Sequence, residues 1–195
     1  PLRMCGALNS LARSGQAPAL TALYPPHHAK KLDAAFWQVL DRAAVEFEEQ
    51  ILAQIEFAPQ TNEVRRANGL MPALLHLSAA FDLPIKLYEM GASAGLNLAL
   101  DQFAYQFADA HYGPQNAPFT LQPDWQGPTP PHANIEIVHR AGCDLNPLDV
   151  STRDGKERLM SYIWPDQMER VERTEHAIEL ASTRLYGAGP FACGL

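Results

Sequence analysis

Hydrophobic residues recur at helical spacing through the first eighty positions and fall into short runs after that. From Asp33 onward, Phe36, Leu40, Ala44, Phe47, Ile51 and Ile55 are separated by steps of 4, 4, 3, 4 and 4. This is one face of an amphipathic helix, with Asp33 as its cap and Pro59 as its stop. Asn62 can cap a second helix through Val64, Ala67, Leu70 or Met71, Leu74, Leu75, Leu77, Ala80 and Phe81. Gly69 and Pro72 predict a break or kink inside it. Asp82-Leu83-Pro84 ends the helical region.

The pattern then changes. Ile85-Lys86-Leu87-Tyr88-Glu89-Met90 is short, mostly apolar and bounded by Pro84 and Gly91, which predicts a buried strand. Residues 91–100 read as a small-residue turn running into a helix, and strand, turn and helix in that order form half of a βαβ unit. Phe103, Tyr105 and Phe107 alternate with Ala104 and Gln106, Gly113-Pro114 turns the chain, and Phe119-Thr120-Leu121 can pair back, predicting a β-hairpin insertion. After a proline-rich loop, Ile135–Val138 reads as a second core strand, leading to Asp144 and Asp149. Ser151 or Thr152 caps a short helix to about Ile163. Trp164-Pro165-Asp166-Gln167 breaks it, and Met168, Val171, Glu175, Ile178, Ala181 and Leu185 trace a last amphipathic helix. The expected class is α/β, with a helical subdomain over 1–83 and an α/β domain over 84–195.

Composition narrows the possible functions. A chain of 195 residues is one domain, or one domain with a helical extension. With 47% hydrophobic and 19% charged residues it is ordinary globular material rather than a disordered chain. No run of 18 apolar residues exists, so no membrane partner is expected. A net charge of -7 speaks against a general nucleic-acid surface. Cys5, Cys143 and Cys193 are too scattered for a disulfide framework, and a reducing cytoplasm is the expected compartment. His27-His28 has no partner at metal-ligand spacing, so no metal site is expected. Pro1 is not an initiator and the end from Tyr186 is apolar and glycine-rich, so the chain reads as a piece of something longer.

The turn at residues 89–97 carries the candidate chemistry, and four loop types compete for it. A dinucleotide fingerprint needs glycine at relative positions 1, 3 and 6, where this chain has Gly91, Ser93 and Leu96. A phosphate loop needs a Gly-Lys-Ser/Thr ending, which is absent. Gly91-Ala-Ser93-Ala-Gly95 matches the G-x-S-x-G nucleophile elbow literally. That elbow, however, belongs after several strands, with an upstream His-Gly-Gly oxyanion loop, and the upstream chain here is helical. The later histidines also fit a triad poorly: His176 falls in a helix. The adenosylmethionine loop, Glu/Asp-x-Gly-x-Gly-x-Gly, is matched by Glu89-Met-Gly91-Ala-Ser93-Ala-Gly95 with one change, Ser93 for the middle glycine. Small residues let the backbone approach the ligand's methionine and ribose, and Asp144, beyond the second strand, is placed to accept from the ribose hydroxyls.

Gln60-Thr-Asn-Glu63, Glu89–Asn97, Asp144–Asp149 and Trp164–Gln167 together resemble the bacterial domain-of-unknown-function family 2332 over nearly the whole chain. The resemblance implies a Rossmann-like sheet of the class I methyltransferase type, with an N-terminal helical extension and no established substrate. Glu89, Gly91, Ala92, Ser93, Gly95, Asn97 and Asp144 are then the candidate S-adenosylmethionine residues, and Asn62, Glu63 and Trp164 candidate pocket walls. A complete sheet of that type has more strands than two, so an incomplete sheet is expected. Its unpaired edge would favour a homo-oligomer. Two other functions compete: a non-catalytic or degenerate Rossmann-like binding module, and a serine esterase. Simpler roles stand beside these. Asp144 and Asp149 suit local turns, Asn62-Glu63 suits a helix start, and His139-Arg140 suits a strand end.

Overall fold

The computed structural model describes residues 1–26 and 31–184. His27, His28 and the end from Leu185, with Cys193, lie outside the described residues. The fold is mixed α/β and divides into two compact units, Pro1–Thr61 with Arg153–Glu172 and Asn62–Thr152 with Arg173–Leu195. The unit boundaries fall at 61/62, 152/153 and 172/173.

The first unit is helical. It holds α1 (Leu2–Ser14), α2 (Pro18–Thr21), α3 (Ala34–Glu46), α4 (Glu48–Ile55), α6 (Arg153–Ser161) and the start of α7 (Met168–Arg184). Ala7, Leu11, Ala12, Ala17, Leu20, Ala43 and Ile51 form its core. Asp33 caps α3 as expected, its carboxylate accepting the Phe36 N–H at 3.1 Å. The stretch from Asp33 to Ile55 is two helices rather than one. Phe47 leaves helical backbone at φ -111 and ψ 27, closing α3 and opening α4. Its N–H still reaches Ala43 O and its carbonyl accepts the Ile51 N–H, so the bend breaks no backbone pairing at that residue. The Asn9 amide on α1 donates to Ser161 O at 2.9 Å and Ile163 O at 3.0 Å, tying α1 to the end of α6. Gly6 clears room for the Tyr162 ring, since a Cβ there would lie 2.6 Å from a ring carbon.

The second unit is built on two parallel strands, β1 (Ile85–Met90) and β5 (Ile137–Cys143). Ile85 pairs with Ile137 and Lys86 with His139, so Val138 is an extra residue on β5. β5 thus starts later than the hydrophobic run at Ile135 and continues through His139 and Arg140. Arg140 tolerates the strand because its guanidinium donates to Leu98 O at 2.6 Å and forks onto the Asp101 carboxylate, 2.8 Å from Oδ2. β1 is half-covered rather than buried. Ile85, Leu87 and Glu89 are partly buried, while Lys86, Tyr88 and Met90 are exposed, Met90 at 88%. Among the described residues no third strand joins this sheet.

The insertion is a second sheet. β2 (Ala104–Phe107) and β3 (Ala110–Tyr112) make an antiparallel hairpin that turns at Ala108-Asp109 rather than at Gly113-Pro114, and β4 (Thr120–Leu121), expected to pair back as the second arm, adds in parallel to β2 instead. Phe103, Tyr105 and Phe107 are buried, as their alternation required. Gly113 is obligatory: its φ is +85°, and a Cβ would sit 2.1 Å from Phe103 O. α5 (Ala67–Phe81) runs through Gly69 and Pro72 without the expected break. Met71, Pro72, Leu74 and Leu75 are all buried, and this packing offsets the hydrogen bond that proline cannot make. The helix expected after the glycine turn is a 3-10 helix, Leu96–Gln102, bent at Ala99. Leu96, Leu98 and Leu100 are all buried, so the segment has no polar face to set an α-helical period.

Candidate functional site

The strands β1 and β5 end side by side, with Met90 opposite Cys143. Beyond them the Ala92 N–H donates to Cys143 O at 3.0 Å, so the glycine turn begins locked to the neighbouring strand. Gly91, Ser93 and Gly95 all have left-handed backbone, with φ of 67°, 55° and 69°. Such conformations fold the chain back tightly and cost a residue with a Cβ about 1–2 kcal/mol. Ser93 therefore occupies a backbone position suited to glycine, where the adenosylmethionine loop has its middle glycine. Gly91 is exposed, whereas Ala92 to Leu100 are buried.

Asp144 follows β5 directly and binds the turn. Its Oδ2 accepts the Ser93 N–H at 2.8 Å, and its Oδ1 accepts the Asn146 N–H at 2.9 Å. The Ser93 carbonyl in turn accepts the Leu148 N–H at 3.2 Å. The two motifs, 51 residues apart in sequence, are thus one constellation. Asn62 and Glu63 join it as a brace. Asn62 Oδ1 accepts the buried Leu96 N–H at 2.9 Å, and the Asn97 amide donates to Glu63 O at 3.2 Å. The Glu63 carboxylate accepts the Arg65 N–H at 3.0 Å, opening the 3-10 turn Val64–Arg66.

Glu89 lies on the partly buried face of β1. Burial pushes its carboxyl above the ordinary 4.5, and the charge of Asp144 adds to the rise. The Arg66 guanidinium and a hydrogen bond from the Asn97 side chain oppose it. Arg66 Nη2 stands 3.8 Å from Glu89 Oε1 and is half-exposed, a loose pair of little energetic weight. Four side-chain atoms of this constellation are buried without a hydrogen-bond partner: Glu89 Oε2, Ser93 Oγ, Asn97 Oδ1 and Asn62 Nδ2. Each such atom costs about 1–3 kcal/mol. Among the described residues Ser93 Oγ has no hydrogen-bond partner, so none of their imidazoles is bonded to it as the base that a serine nucleophile requires.

The turn therefore brings together Asn62, Glu63, Glu89, Gly91, Ala92, Ser93, Gly95, Asn97 and Asp144. Trp164 falls in the first unit, where it borders a cavity with Pro165. Arg66 and Asp101 were not singled out from the sequence, and Arg140 was read only as part of a strand end. The one signal was a charged residue next to the apolar run Ile135–Val138.

Neither a curated protein nor a solved structure matches the chain. The family DUF2332, described as uncharacterized proteins conserved in bacteria, matches residues 1–186, and the chain belongs to it.

Proposed function

We propose that the second unit binds S-adenosylmethionine at the carboxyl end of β1, where open α/β sheets take their ligands. The observation that carries this reading is the run of three left-handed residues, Gly91, Ser93 and Gly95, held to Asp144 of the next strand. This backbone brings peptide groups, rather than side chains, toward a ligand arriving beside exposed Gly91. Asp144 stands at the end of the next strand, where a carboxylate can accept from ribose hydroxyls. Glu89 offers a carboxylate to the ligand's ammonium group. Methyl transfer is the reaction such a ligand would supply, and the methyl acceptor is left open. Burial of Ala92 to Leu100 equally suits a degenerate module that binds without turnover. Calorimetry with S-adenosylhomocysteine tests the binding. Saturable heat is expected, and none at millimolar ligand would overturn the proposal.

A further inference from the structure

The ammonium and the carboxylate of an amino-acid end sit on one carbon. A ligand whose ammonium meets Glu89 therefore brings a carboxylate to the same place, and that carboxylate needs a cation. Lys86 is on β1 as well, but strand alternation sets it with exposed Tyr88 and Met90, on the opposite face from Glu89. Arg140 on β5 is already engaged. Its guanidinium donates to Leu98 O and forks onto Asp101, with Nη2 2.8 Å from Oδ2.

Arg66 differs from both. Its Nη2 stands 3.8 Å from Glu89 Oε1 and its Nε 3.5 Å from Glu63 O, and its side chain is 49% exposed. A guanidinium settled on a carboxylate forks onto it closely, as Arg140 does on Asp101. Arg66 is only lightly engaged, yet its backbone is fixed beside the turn. The Glu63 carbonyl accepts the Arg66 N–H at 3.3 Å and the Asn97 amide at 3.2 Å. The start of α5 is thereby tied to the 3-10 helix that follows Gly95.

On the S-adenosylmethionine reading, on which this rests, we infer that Arg66 binds the carboxylate of the ligand's amino-acid end while Glu89 takes its ammonium. The internal pair opens, and each half takes the opposite charge of the zwitterion, so both charges stay paired. The exchange costs little, because a half-exposed contact at 3.8 Å contributes little that the ligand must replace. The arrangement selects an amino-acid end over a plain amine.

Calorimetry of the 195-residue chain with S-adenosylmethionine, and with its decarboxylated form that keeps the ammonium, tests this. The chain's net charge of -7 favours the more cationic decarboxylated ligand, so a preference for the carboxylate must come from a local cation. Wild type is expected to bind S-adenosylmethionine about threefold to tenfold more tightly, the worth of one half-exposed charge-assisted contact. Arg66→Gln should remove this preference, weakening S-adenosylmethionine by that factor and leaving the decarboxylated ligand within about twofold. Arg66→Lys should keep part of it, since a charge without the fork still attracts a carboxylate. Both variants should fold, because the contacts they lose are loose. Equal affinity of wild type for the two ligands would overturn the inference and leave the S-adenosylmethionine reading standing. So would an Arg66→Gln that weakens both ligands alike, or neither. Failure of wild type to bind either ligand would overturn both.

Discussion

Ser93 holds a left-handed backbone without making a side-chain hydrogen bond, so its Cβ is a cost with no visible return. Ser93→Gly is expected to stabilise the fold by about 0.5–1 kcal/mol in thermal melts, since glycine adopts this φ freely. Ser93→Ala should leave S-adenosylhomocysteine affinity nearly unchanged, because the backbone makes the proposed contacts. Covalent labelling of Ser93 by a fluorophosphonate would instead establish the esterase. Glu89 supplies the pH dependence. Its folded value is raised, so protonation favours the folded state. The stability it contributes is present below the unfolded value and is lost as pH rises through the raised one. Glu89→Gln should therefore raise the melting temperature at pH 7 relative to wild type, and the gain should shrink as pH falls to 4.5 and below. A pH-independent difference would count against this assignment. The tight turn at Gly91, Ser93 and Gly95 was legible in the sequence because left-handed backbone demands small residues, and Asp144 was placed across from it because it follows the neighbouring strand. Arg66 was not, because an arginine beside a helix start looks like any solvated cation.

The elements were read less evenly, and the misreadings share a cause. A hydrophobic period reports which face is buried, not whether the backbone stays helical. The period therefore crossed the bend at Phe47 unbroken, since residues on both sides of it still face the same core. Pro72 erred in the other direction, because local propensity predicts a break where burial holds α5 together. The role of Asn62 also belongs to this scale: it looked like a cap for the helix that follows it, yet it caps the 3-10 helix beginning at Leu96. Asn62→Ala is expected to cost about 1–3 kcal/mol, because it orphans a buried N–H. Urea denaturation measures this, and a change under 0.5 kcal/mol would show that water replaces the amide (about the lower bound for a net hydrogen bond). Asp101→Ala should likewise destabilise by about 1–3 kcal/mol, leaving the Arg140 guanidinium half-buried with only Leu98 O.

For the whole molecule, the sequence yielded the class, α/β with two parallel core strands, and not the second sheet's parallel β4 or the division into units. Pairing across distant residues leaves no periodic trace in either partner, and the units interleave along the chain. Tyr88 and Met90 stand exposed on β1, and parallel sheets are normally covered on both faces. Concentration-dependent self-association is therefore expected in sedimentation runs, through the open side of this sheet. Met90→Lys should weaken it. A monomer at every concentration would rule it out.

The Asp144 carboxylate also has a kinetic consequence. Because one side chain holds the amide hydrogens of both Ser93 and Asn146, neither can be released alone by moving that group away. Their exchange with deuterated solvent should be correlated, with both protected while Asp144 is seated and both exposed in the same opening event. Asp144→Ala should accelerate both. A ligand that holds this carboxylate in place should slow both, giving binding a readout at two amides that needs no turnover and no identified methyl acceptor.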